Sequence, residues 1–150
     1  MKNDPLAQFR EGQPSARPAP RSIVASSGKR PYEAYDKKGR PCPYTEILCT
    51  AQPSQSPQSR FFLAAVFSAD FDEAFTLLYS FMAVEVRGRN LREVRQAIQQ
   101  SRCEFIQEYH ENEFLPPGTD APVIESIRFI TGDKLEDILA SHKAGERHAG

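Results

Sequence analysis

Seven of the chain's twelve prolines fall within its first 43 residues, set among Ser, Gln, Lys and Arg with few large apolar side chains. A segment of that kind cannot bury enough surface to offset the entropy of ordering it, so the folding core must come from Tyr44 onward. The expected organisation is a mostly disordered basic, Pro-rich arm over residues 1–43, one α+β domain over 44–145 and a flexible tail over 146–150. Within the arm, Ser22-Ile23-Val24-Ala25 and the aromatic pair Tyr32 and Tyr35 offer apolar groups for docking on the domain or on a partner. Asp36 to Pro41, DKKGRP, is a turn signal.

The formal charge of −1 conceals an opposition along the chain. Residues 1–43 hold nine Lys and Arg against four Asp and Glu, whereas residues 44–150 hold ten against sixteen. No run approaches the ~18 to 20 continuous apolar residues that span a bilayer, and the opening residues carry no apolar segment of the secretory kind. The expectation is a soluble, cytoplasmic protein with no membrane association. Its three cysteines, Cys42, Cys49 and Cys103, form no CxxC pair, which argues for free thiols rather than a disulfide framework or zinc ribbon.

From Tyr44 the hydrophobic pattern becomes regular. YTEILCTA reads as a strand, and RFFLAAVFSA as the most apolar strand of the chain. The polar loop Gln52 to Ser59, with Pro53 and Pro57, would join the two as a long hairpin. DFDEAFTLLYSFM carries two periods: Asp70 with Glu73 is a capping-box pattern ahead of Phe71, Ala74, Phe75, Leu78 and Met82 at helical spacing, while Phe75 to Tyr79 also suits a sheet. Helix is the preferred reading. AVEVRG is a strand with Val84 and Val86 on one face and Glu85 and Arg87 on the other.

Gly88 reads as a tight turn, and Asn90, with Glu93 three residues on, as the N-cap of a helix from Leu91 whose Leu91, Val94, Ala97 and Ile98 face inward. That helix ends near Arg102 or runs to Tyr109; a break, with CEFIQEY as a short strand, is preferred. HENEFLPPG is a loop, VIESIRFI the last strand, and Asp133 with Glu136 opens a short helix that Gly145 would end. The predicted fold is α+β: a mainly antiparallel sheet of four or five strands with one principal helix packed on it and a short C-terminal helix. The alternative is a small β-barrel with one helix, if Phe75 to Tyr79 is a strand.

The stretch VEVRGRNLREVRQAIQQ could suggest a phosphate cradle, but such a cradle takes two or three glycines and this turn has one. Its arginines are more informative. At ~100° per residue, Arg92, Arg95 and Arg102 lie within about 80° of arc beside the apolar stripe, with Arg87 and Arg89 near the helix start. Together with Lys29, Arg30, Lys37, Lys38 and Arg40 of the arm they are the candidate anion- or partner-binding residues, because each guanidinium offers a planar fork of donors. The competing reading is a solvated helix face whose alkyl stems cover the core's edge.

Catalysis and metal binding find less support. His110, Glu111 and Glu113 share a loop and could join Asp120 or Cys103, yet no ligand pair recurs at helical or hairpin spacing. Cys103 and His110 are the only Cys and His close in sequence, and no GxSxG or SxxK is present. No catalytic residue, metal site or cofactor is therefore assigned. The functional expectation is a non-enzymatic protein-interaction or adaptor domain with a flexible basic arm and another protein as partner. Nucleic-acid binding through the arm and the arginine ridge is the alternative, and a small enzyme with a site near His110 the third reading.

Overall fold

The computed structural model describes residues 28–149, with side chains through residue 144. Its elements are β1 (Glu46–Leu48), a 3-10 turn (Ser59–Phe61), β2 (Phe62–Phe67), β3 (Ala74–Tyr79), β4 (Ala83–Arg89), α1 (Arg92–Gln99), β5 (Phe105–Gln107), β6 (Val123–Ile130) and α2 (Asp133–Ala149). Four strands form an antiparallel sheet in the order β2-β3-β4-β6, while β1 and β5 form a separate parallel pair. The class is α+β. The sheet is open, with β2 and β6 at its edges, which corrects the barrel alternative. Among the described residues no helix is long and apolar enough to cross a membrane.

Strand alternation divides the sheet into two faces. Phe75, Leu77 and Tyr79 of β3, Val84 and Val86 of β4, and Ile124 and Ile127 of β6 turn to one side, where they meet Val94 and Ile98 of α1, Ile47 of β1 and Ile106 of β5. This is the main core. On the opposite face Leu78, Ala83 and Ile130 pack against Leu135 of α2, with Ile138 and Leu139 beside them. Toward β6 that face becomes polar, where Glu85 Oε1 lies 3.6 Å from Arg87 Nε and 3.3 Å from Arg128 Nε, while on β2 it presents the exposed Val66.

The helix expected over Phe71 to Met82 is a strand. Both periods are written in the segment, but only the period of two puts Phe75, Leu77 and Tyr79 on the core side together, at 2%, 0% and 1% exposure. The long hairpin expected between the first two strands is also corrected. β1 has three residues, too few to match β2, and the intervening loop folds back so that Ile47 and Gln55 exchange N–H···O bonds of 2.7 and 3.2 Å. β2 instead forms a hairpin with β3, and β3 with β4.

Gly88 and Asn90 play roles different from those expected. Gly88 lies inside β4, where the register with β6 shifts between Arg87 and Gly88. A Cβ there would sit 1.9 Å from the carbonyl oxygen of Val123, so only glycine admits this approach of two backbones. Asn90 takes the positive φ, 55°, and its side-chain amide donates to the Thr119 and Ala121 carbonyls rather than capping a helix.

The principal helix is shorter than the expected Leu91 to Arg102. Ser101, at φ 55°, turns the chain: its N–H reaches Ile98 O at 3.0 Å, and the Arg102 N–H reaches Ala97 O at 3.0 Å. That paired closure is the Schellman arrangement, with serine where glycine is usual. It places CEFIQEY beyond the helix, as β5. The last helix is the longer of the two and continues past Gly145 to Ala149, which corrects both its expected end and the tail over 146–149. One glycine weakens a helix by only ~1 kcal/mol, and the neighbouring alanines, lysine and glutamate favour it.

The boundary expected at residues 43/44 falls too late. Ala34 and Tyr35 join the main core at 2% and 8% exposure. The Tyr32 hydroxyl donates to Gln107 O at 2.6 Å and accepts from the Ile124 N–H at 3.0 Å, tying this segment to β5 and β6. Its ring meets Tyr109 and Phe114 edge-on at 5.2 and 5.1 Å. Prolines and charges concealed three apolar anchors, Tyr32, Ala34 and Tyr35, in a segment whose Ala34 carbonyl and Asp36 N–H bond to the Gln107 N–H and Phe105 carbonyl of β5. Ser22 to Ala25, and the arm proposed for residues 1–27, lie outside the described residues.

Gly88→Ala should destabilise the fold by about 2 kcal/mol or more, because the contact is with backbone and no rotamer relieves it. Urea unfolding followed by circular dichroism measures this. A midpoint equal to the wild type would show that the strands separate without penalty.

Candidate partner-binding groove

The candidate residues do not form one ridge. On a helical wheel Arg92 and Arg95 lie on one flank of α1's inward stripe, and Glu93, Gln96, Ala97 and Gln100 on the other. Arg92 Nε is 3.4 Å from Asp72 Oδ1, and the Arg95 guanidinium stacks over Phe67 with Cζ 3.5 Å from the ring centroid while donating to Gln99 at 2.7 Å. Arg87 belongs to the outer face beside Glu85, and Arg89 is exposed at the end of β4. Arg30 pairs with Glu113 and lies over the Phe114 ring, next to the exposed Lys29.

The expected turn between strand and helix offers no anion cradle. The Gly88 N–H donates to Glu73 O at 2.8 Å and the Leu91 N–H to Asp72 O at 2.9 Å, so both donors are engaged by the chain itself.

Arg102 is separated from the other arginines because the Schellman turn swings it across the C-terminal end of α1. There its Nη1 donates to Gly39 O at 2.8 Å. Gly39 holds φ 71°, a conformation that favours glycine, and so closes the tight turn of DKKGR. The two distant sequence segments thereby meet: Lys37 from one and Arg102 from the other line one groove, while Lys38 and Arg40 adjoin Lys37 and Gly39 in sequence without lining it. The groove has a volume of about 270 Å³ and runs between the Tyr35–Gly39 turn and the Glu93, Gln96, Ala97 and Gln100 flank of α1.

Two polar side chains, Tyr35 and Asp36, hold its walls. The Tyr35 hydroxyl donates to Glu93 Oε2 at 3.1 Å, joining turn to helix, and burial followed by the Glu93 carboxylate pushes the phenol up to about 12. Asp36 Oδ1 accepts from the Lys38 N–H at 3.0 Å and its Oδ2 from the Glu104 N–H at 3.1 Å. Burial opposes ionisation of Asp36, but those two N–H groups and the Lys38 and Arg40 charges prevail and hold its carboxyl below the usual carboxylate range. DKKG is thus a latch, with aspartate folding back on the backbone two residues on. Cys42 N–H to Ser101 O at 2.8 Å continues the attachment.

Among the described residues, Lys37, Lys38, Arg40 and Arg102 are in no ion pair of the structure. Lys38 and Arg40 act on the Asp36 carboxylate, whereas Lys37 and Arg102 line the groove together with Asp36 and Glu93, so its rim carries both signs of charge.

The loop around His110 is arranged differently. His110 is exposed and its Nδ1 accepts from the Asn112 N–H at 3.2 Å, whereas Cys103 is fully buried in the main core. Burial, the largest influence, raises the Cys103 thiol to about 11, which leaves it protonated at neutral pH. The two residues that sequence proximity paired therefore occupy different environments. Among the described residues no three of His, Cys, Asp and Glu gather in a way that holds a metal ion.

Comparison with known proteins finds no matching family model, no significantly similar curated sequence and no significantly similar solved structure.

Asp36→Asn should destabilise the protein by about 1–3 kcal/mol at neutral pH, since one charge-assisted acceptor is lost at a buried position. Because the folded carboxyl titrates below its usual 3.8, its contribution is complete above that value and disappears as the pH falls through the folded pKa. Urea unfolding of wild type and variant across this range should show the two curves converging at low pH. A gap that persists below the folded pKa would mean the carboxylate charge is not what stabilises the turn.

Proposed function

We propose that this protein is a non-catalytic interaction domain whose partner is another protein, engaged through an acidic segment laid in the groove between the Tyr35–Gly39 turn and α1. The observation that carries this reading is the meeting of Lys37 and Arg102 at one concavity, neither of them in an ion pair among the described residues, with Lys38 and Arg40 in the adjoining chain. Guanidinium forks and ammonium groups on a polar rim suit carboxylate side chains of a bound segment, while the Tyr35 and Ala97 surfaces supply limited apolar contact.

Dispersal of the remaining arginines favours protein over nucleic acid. Arg92 and Arg87 spend their charge on Asp72 and Glu85, and Arg95 rests on Phe67, so the basic surface stays small rather than extending along a phosphate backbone.

The test compares affinity capture by the full chain and by a K37E/R40E/R102E variant from cell extract, each with and without nuclease. Proteins retained by the wild type, insensitive to nuclease and lost with the variant are the expected result. Recovery of the same proteins by both chains defeats the groove as the binding surface. Retention abolished by nuclease transfers the function to nucleic-acid binding.

A further inference from the structure

The residues that α1 turns to the groove, Glu93, Gln96, Ala97 and Gln100, stand at positions i, i+3, i+4 and i+7, so they form one stripe along the helix axis. The groove therefore has a long direction. Two hydrogen bonds to the facing turn fix its ends: the Tyr35 hydroxyl donates to Glu93 in the first turn of α1, and Arg102 Nη1, just past the last turn, donates to Gly39 O. Lys37 lies between those two turn residues in sequence.

The two ends differ in sign. Glu93 gives only Oε2 to the Tyr35 hydroxyl and is in no ion pair of the described residues, which leaves its other oxygen open to a cation. Arg102 commits Nη1 to Gly39 and likewise meets no carboxylate among the described residues. Asp36 does not blur this division, since both its oxygens accept backbone N–H groups and the Lys38 and Arg40 charges act on it. Between the ends stand the exposed Gln96 and Gln100, whose side-chain amides make no hydrogen bond among the described residues.

The spacing of the ends selects a kind of occupant. From Glu93 to Gln100 the helix rises about 10 Å, at ~1.5 Å per residue, and Arg102 lies beyond. An extended chain advances ~3.3 Å per residue and returns to the same face every second residue, so side chains four positions apart stand about 13 Å apart on one face. That span covers the helix rise with the further reach to Arg102. The amides of Gln96 and Gln100, one helical turn apart, both donate and accept, as the peptide groups of such a segment require. A phosphate backbone carries one sign of charge throughout and would be repelled at Glu93.

We propose that the partner's segment lies extended in this groove with an acidic side chain at Arg102 and a lysine or arginine four positions away at Glu93, an inference that rests on the groove being the binding surface. Opposite charges at the two ends then set which segment fits and which way it runs, while the glutamines hold its backbone.

Selection of phage-displayed random nonapeptides on the immobilised full chain tests this. Peptides retained by the wild type should carry Asp or Glu four positions from Lys or Arg, in one order along the chain, about fivefold more often than the input library. E93Q, which keeps an acceptor for Tyr35, should remove the basic preference and leave the acidic one. R102Q, which keeps a donor for Gly39, should do the reverse. The wild-type selection alone decides the spacing should either variant unfold. Acidic peptides with no basic residue at that spacing overturn this inference and leave the groove as the binding surface. Peptides retained equally by wild type, E93Q and R102Q overturn both, as does a selection that enriches no peptide.

Discussion

The contact between the backbone of Gly88 and the carbonyl of Val123 sets the position of much else in the molecule. β4 and β6 approach there through a bulge that sets Gly88 opposite Ile124, whose N–H and C=O face away from β4 along the outer edge of β6. The Tyr32 hydroxyl and the Tyr109 N–H complete those groups. Tyr32 in turn holds its segment against β5, Tyr35 enters the core and bonds Glu93 of α1, and the DKKG latch ends beside Arg102. A side chain as small as a methyl group at position 88 would disturb that sequence of attachments at its first step.

Polar groups at the groove are held by backbone donors rather than by each other. Asp36 is satisfied by two N–H groups, Tyr35 by Glu93, and Arg102 by a carbonyl, while the Lys38 and Arg40 charges favour the ionised form of Asp36. On the other flank of α1 the economy is reversed: Arg92 is matched by Asp72, and Arg95 lies on an aromatic ring.

Local pattern was sufficient where a single period operated. VEVR, FLAAVF and VIESIRFI each became strands, and the helix after Asn90 buried Leu91, Val94 and Ile98. Where two periods coexisted, in DFDEAFTLLYSFM, propensity and capping favoured helix, and the neighbouring strands decided for sheet by offering Phe75, Leu77 and Tyr79 a common apolar face. The candidate site divided in the same way. DKKGRP was legible as a turn and each arginine as a donor, but the angle at Ser101 that sends Arg102 away from Arg95 depends on a left-handed residue that serine does not advertise.

The sequence by itself determined the class of the protein, the location of its most regular strands and the absence of long apolar spans, because hydrophobic periodicity and turn chemistry act over a few residues. Long-range packing set which strands pair, drew Tyr32, Ala34 and Tyr35 into the packed unit, and brought Arg102 to the turn that carries Lys37. Those outcomes rest on contacts between groups some sixty to ninety residues apart, such as Tyr32 with Ile124 and Arg102 with Gly39, whose energies come from burial and shared hydrogen bonds that no local window contains.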